Sequence, residues 1–265
     1  SQPAVWAQKS AGENTEDATW AVSAECWSYQ SFSQQKPTTP VQAGYPLIES
    51  SSFTLGVSRS IQRPKAHHHF SLRIGLPSSL DSDNGKGKNH LVERNNHTYL
   101  RSGLDYHLIF LFFQWKGLQM RYGLTSGLLY ENRTLHYKSG AEEKAEDINL
   151  YIGPALQLQY PLASSWMLKG AFDARFYFPY TNYGKLHAFD PLRNPVFSSD
   201  YSGFYYQTLF KLGISWQLPK KGAVEAGAVK NDLIGFAGRQ PGFYVNDVIH
   251  FKLDRLFHYY VRYRF

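Results

Sequence analysis

The stretch LQMRYGLTSGLLYENR, residues 118–133, decides the fold. Leu118, Met120, Tyr122, Leu124, Leu128 and Tyr130 alternate with Gln119, Arg121, Gly123, Thr125, Gly127 and Glu131. A period of two puts the first set on one side of a strand and the second on the other. One face is oily and the other polar.

Working outward, the alternation recurs in DINLYIGPALQLQY (147–160), WMLKGAFDARFYF (166–178), FYYQTLFKLGISWQL (204–218) and FHYYVRYRF (257–265). Less regular candidates occupy 18–30, 51–62, 66–77, 98–113, 222–235 and 247–265, the last containing the terminal stretch. The clear strands run about twelve residues or more, against the five or six usual in a soluble sheet. The longest uninterrupted apolar run, LIFLFF at 108–113, is far short of the roughly 20 residues a membrane helix needs.

The connections alternate in length. QRPKA (62–66), QWKG (114–117), PLASS (161–165) and PKKG (219–222) are short, while 31–50, 78–96, 132–147, 181–202 and 235–247 are long and mostly polar. With both termini on one side of a membrane, every short turn falls on that side and every long loop on the other. The expected fold is therefore all-β: a transmembrane up-and-down antiparallel β-barrel of ten strands, or twelve if the long loops hide a hairpin. A soluble barrel would turn the oily faces inward, where so many wide Phe, Tyr and Trp side chains would overfill the interior. Trp115, Trp166 and Trp216 fall at the short-turn ends and Tyr130, Phe178, Tyr180 and Phe204 at the opposite ends, as interfacial aromatic belts require. Arg59 and Arg255 are the two charges on the expected lipid face, each toward a strand end.

The last strand also resembles the assembly signal of bacterial outer-membrane β-barrel proteins, with Phe257, Tyr259, Val261, Tyr263 and Phe265 at the alternating positions. The resemblance spans about residues 18–265 and names an architecture and a compartment without a subfamily. It implies the outer membrane of a Gram-negative bacterium, periplasmic termini, and contact with outer-membrane lipid, lipopolysaccharide and the barrel assembly machinery. On this reading residues 1–17 form a polar periplasmic segment left after signal-peptide removal, and 18–265 form the barrel.

Composition narrows the function. The net charge is +7, but the basic residues are scattered along the chain, which argues against nucleic acid. The single Cys26 can form no internal disulfide.

The expected inward set holds Arg73, Arg121, Asp173, Arg175, Lys211, His258, Arg262 and Arg264, together with His67, His69, Ser71, Arg101, Asp105, His107 and Asp254. Small barrels fill their interiors with such side chains, paired across strands because buried charges need partners. Within the set, Asp105 and His107 lie two apart on one strand beside His69, so an orienting carboxylate and an imidazole share a side. This is similar to part of the site of omptin proteases, themselves ten-stranded barrels, though their second acidic pair is not recognisable here. His67 and His69 alone make an incomplete metal site, and no cofactor is expected. In 98–113 both faces are apolar near the short-turn end: Ile109, Leu111 and Phe113 point inward as a dry plug, or the strand meets a partner.

The leading expectation is a non-catalytic subunit or scaffold of an outer-membrane export, biogenesis or uptake assembly, with other envelope proteins as partners. The alternatives are a hydrolase using the Asp/His pair and a narrow anion-favouring pore.

Overall fold

The computed structural model describes residues 17–35, 47–63, 66–83, 97–136, 142–189, 195–219, 222–239 and 250–265. Its strands are β1 (Asp17–Gln35), β2 (Leu47–Gln62), β3 (Ala66–Gly75), β4 (Ser78–Asp83), β5 (His97–Trp115), β6 (Leu118–His136), β7 (Glu142–Ala163), β8 (Trp166–Phe189), β9 (Pro195–Gln217), β10 (Ala223–Arg239) and β11 (His250–Arg264). All pairings are antiparallel, and β1 pairs with both β2 and β11, so the sheet closes on itself. β3 and β4 lie end to end between β2 and β5 as halves of one stave. The break falls at Leu76 and Pro77. Pro77 has no N–H to give to a ladder, and the Leu76 amide keeps the register by donating to the Phe53 carbonyl at 2.8 Å. The barrel thus has ten staves, not twelve.

At the seam, Ala21 pairs with Arg264 and the register continues to Gln35 opposite His250. Trp20 and Phe265 exchange both main-chain hydrogen bonds there, at 3.1 and 2.9 Å. A closed ladder leaves no unsatisfied sheet edge, which a hydrocarbon surrounding demands.

Several stretches read as loops are ladder. β8 has 24 residues and β9 has 23, and pairs such as Leu186 with Ser199 lie within the expected loop 181–202. A stave that rises beyond the apolar belt is wet on both faces, so the alternation fades while the backbone pairing continues.

The oily faces point outward. Phe53, Leu55, Val57, Leu72, Leu124, Leu212, Tyr259 and Val261 are all exposed, whereas Glu25, Asp105, Glu131, Asp173, Arg175 and Glu225 are buried. On β7 the outward apolar positions run from Ile148 to Tyr160, about 40 Å of strand, or about 30 Å once tilted as such barrels are. Trp20, Trp115, Trp166 and Trp216 ring the end that carries the short turns, all exposed, with Trp166 and Trp216 stacked at 5.7 Å. Of the opposite belt, Tyr130 is described and half-buried; the side chains of Phe178, Tyr180 and Phe204 lie outside the described residues. Arg59 sits opposite Trp20 in the register, its guanidinium 5.5 Å from the Trp20 ring. That contact lets the charge reach the interface along an aromatic face. The Arg255 side chain lies outside the described residues. Cys26 is free and exposed on the outer surface.

The short β5–β6 turn is Lys116–Gly117, with φ of 44° and 88°. Two positive φ values define the tight hairpin whose twist matches the strands, and glycine supplies the second without strain. Just before it the expected plug holds only in part. The β5–β6 register shifts between Leu111 and Phe113, leaving Phe112 unpaired. Ile109 is fully buried and Leu111 pairs with the inward Arg121, but Phe113 pairs with Met120 on the outer face, and Phe112, 70% exposed, meets the outer face of Tyr122 edge-on at 5.6 Å. One extra residue in a strand changes which side the following side chains take, so a sequence apolar on both faces becomes an outward aromatic cluster.

Candidate functional site

Inside the barrel the side chains form two zones. Toward the loop end, Leu129, Tyr151, Tyr177 and Tyr205 pack into one buried cluster, with the Tyr151 and Tyr177 rings 5.3 Å apart and Tyr177 1% exposed. Tyr177 donates to Gln207 Oε1 at 2.5 Å, and Gln207 is wholly buried. The Tyr151 ring has room because Gly127 faces it from β6: a Cβ on Gly127 would stand 2.5 Å from the Tyr151 hydroxyl and closer still to the Leu104 carbonyl. Arg101 and Glu131, 3.5 Å apart, lie on the same side of the lumen.

Directly toward the turn end, a charged layer crosses the barrel. Asp105 (β5) accepts from Arg73 (β3) at 2.5 Å, Ser71 (β3) at 3.3 Å and the Tyr151 hydroxyl (β7), with Arg175 (β8) at 3.2 Å. Arg175 also donates to Asp173 at 3.2 Å and lies 4.5 Å over the Tyr151 ring. Asp173 in turn is 2.9 Å from His107 Nε2.

The expected Asp105–His107 dyad therefore does not form, although both residues share the inward face of β5. Asp105 is engaged by two arginines, a tyrosine and a serine, and the carboxylate that meets His107 comes from β8. His69 is held by Ser60 through Nδ1 at 2.8 Å, its ring 6.0 Å from that of His107 and 6.3 Å from that of His67. His68 points the other way, to the Tyr106 hydroxyl at 2.9 Å. Among the described residues no three His, Cys, Asp or Glu side chains converge as a metal site.

Below the charged layer is a cavity of about 550 Å³ that reaches the turn end, where Ala18, Gln62, Gln217, Gly222 and Phe265 form its rim. Most of the expected inward set lines it: His67, His69, Arg73, Asp173, Arg175, Lys211, His258, Arg262 and Arg264. Arg121 sits at the same end, donating to Gln119 at 3.0 Å. The Asp254 side chain lies outside the described residues.

A second charged knot on the far wall was not expected from sequence. Glu225 (β10) takes Lys169 at 2.7 Å, Lys211 at 2.9 Å and the Tyr260 hydroxyl at 2.9 Å, and Lys211 lies 4.2 Å over the Tyr260 ring. Glu25 faces His258 at 3.5 Å, an ion-pair separation rather than a hydrogen bond. Both acids sit in the weakly alternating segments 18–30 and 222–235; the available signal was their in-phase spacing with Ala21 and Ala223, the inward residues beside them.

An exposed apolar belt around a closed ten-stave sheet, with its charges buried inside, is an inside-out arrangement for a soluble protein. The fold is that of an outer-membrane β-barrel. The outer membrane protease OmpT of Escherichia coli has a solved structure that superposes with a TM-score of 0.58 at 7% identity, covering 97% of this chain and 99% of that one. The translocator domain of the autotransporter NalP from Neisseria meningitidis (11% identity, 93% and 88% covered, TM-score 0.45) and the toluene transporter TbuX of Ralstonia pickettii (10%, 93% and 89%, 0.40) are looser likenesses. Identities of this order speak for the fold alone. No family model and no curated protein sequence matches the chain.

Proposed function

We propose that the chain is a non-catalytic, non-conducting barrel of a Gram-negative outer membrane, serving as a subunit or scaffold of an envelope assembly. On this reading its termini and short turns face the periplasm, and the Phe257–Phe265 strand is what the assembly machinery recognises. The observation that carries the reading is the closed cross-section of the lumen above the turn-end cavity. Tyr151, Tyr177 and Tyr205 pack over a charged layer whose carboxylates are fully engaged, which argues against a diffusion path, and what remains for interaction is the outer surface and the ends.

The test is extraction from the native membrane in mild detergent, followed by native mass and identification of what copurifies. A stoichiometric envelope protein is the expected result. A lone barrel near the chain's own 30.4 kDa would overturn the reading.

The contact between His107 Nε2 and Asp173 favours a second reading, because a carboxylate holding one imidazole nitrogen is how a general base is oriented. His107 Nδ1 has no hydrogen-bond partner among the described residues. On the leading reading, the purified barrel and its His107→Ala variant cleave a p-nitrophenyl ester and a mixed peptide library at the same background rate. A wild-type rate that His107→Ala removes from a still-folded barrel would move belief to a hydrolase.

A further inference from the structure

The cavity at the turn end has more cations than its acids can neutralise. Arg73, Lys169, Arg175, Lys211, Arg262 and Arg264 line it, against Glu25, Asp105, Asp173 and Glu225. Three of those acids are committed to donors other than Arg262 and Arg264, and the fourth, Glu25, has His258 beside it. Asp105 serves Arg73 and Arg175, Asp173 serves Arg175 and His107, Glu25 faces His258, and Glu225 holds Lys169, Lys211 and Tyr260.

Arg262 shows the consequence. It lies directly opposite Glu225 in the β10–β11 register and opposite Ser23 on the seam side. Yet both Glu225 oxygens are taken by other donors, and Arg262 Nε has no hydrogen-bond partner among the described residues. Among the described residues Arg264, the next inward position on β11, reaches only the amide oxygen of Gln217, at 3.4 Å. Among the described residues Arg121, whose Nε is also unpartnered, reaches only the amide oxygen of Gln119. Lysine and arginine head groups gathered in a narrow, low-dielectric tube repel one another unless a counter-charge sits among them.

We propose that this cavity is a blind binding pocket for a small dianionic oxyanion of the phosphate class, entering from the turn end and held by Arg262 and Arg264. Two surplus guanidinium groups match two negative charges, and their planar forks suit tetrahedral oxyanions. About 550 Å³ is the size of a pocket for a phosphorylated small molecule. Because the charged layer and tyrosines close the other end, the ligand is bound and released on one side, which distinguishes the pocket from an anion pore. The proposal goes beyond the scaffold reading and stands or falls separately from it.

The test is calorimetric titration of the full-length barrel, in detergent at low ionic strength, with inorganic phosphate and with acetate. Saturable phosphate binding is expected, with acetate much weaker. Arg262→Gln should weaken phosphate by about tenfold or more, the loss expected for one charge-assisted hydrogen bond. Glu225→Gln should move the other way and tighten it, since it releases two lysines into the pocket. Lys116→Gln, the same charge change on the exposed turn outside the cavity, should leave binding unaltered. Heat-modifiable migration on electrophoresis verifies that each variant is a folded barrel. No saturable phosphate binding, equal binding of acetate, or folded Arg262→Gln and Glu225→Gln variants that bind like wild type would each overturn the proposal.

Discussion

Replacing Arg175 by alanine is expected to destabilise the barrel by about 3–5 kcal/mol, the loss typical of breaking a buried ion pair from one side. Arg175 is 4% exposed and joins Asp105 to Asp173. Without it, Asp173 keeps His107, and Asp105 keeps Arg73, Ser71 and Tyr151. The remaining cation, however, sits on the β3 side of a layer whose second carboxylate is on β8. The Tyr151 ring also loses the guanidinium that covers it. The measurement is the temperature at which the folded, fast-migrating form is lost on electrophoresis, which should fall by roughly 10 °C for a domain of this size. Adding Asp173→Asn to Arg175→Ala should return part of the loss by removing a carboxylate left short of donors. An unchanged midpoint in Arg175→Ala would mean that the charged layer is hydrated and does not hold the staves together.

The second large effect concerns passage through the lumen. Wild-type barrels in planar bilayers are expected to give no discrete current steps, because Tyr151 and Tyr177 fill the cross-section above the charged layer. The double variant Tyr151→Ala, Tyr177→Ala should give steps. Two rings are removed, and the charged side chains beneath them, unlike the rings, can be wetted and can swing aside. The open form should favour anions, because the turn-end cavity carries the cation surplus. Steps from the wild-type protein would revive the pore reading, and silence from the double variant would place the seal in the charged layer instead.

The sequence carries the staves far better than it carries the site. A period of two survives wherever one face meets lipid and the other a polar lumen, which is why 118–133 and 257–265 suffice to give the strand type, the facing and the short-turn end. It also assigns His107, Asp173, Arg175 and Lys211 inward. It does not show which of them meet. His107 and Asp173 are on staves separated by two others, and their contact depends on how those strands are staggered, a sum of registers that no local pattern encodes. Asp105 and His107 look like a pair because they are two apart on one strand, but that spacing makes them neighbours on a face without aiming one at the other. The bulge at Phe112 escaped for the opposite reason: a single inserted residue leaves no trace where both faces are already apolar.

The seam has one more implication. Every other adjacency in the sheet joins consecutive staves, so each can form as a hairpin soon after its residues are available, with little chain to close. β1 and β11 are the exception, bringing Ala21 to Arg264 across nearly the whole polypeptide. Bringing such distant segments together carries the largest loop entropy in the molecule, and contacts of that range are the slow ones. Barrel formation is thus a run of fast local steps waiting on one late event, and until it occurs the first and last strands both expose open edges. The lifetime of that open sheet, more than the strength of any contact within it, sets how long the chain must be shielded from sticking to its neighbours.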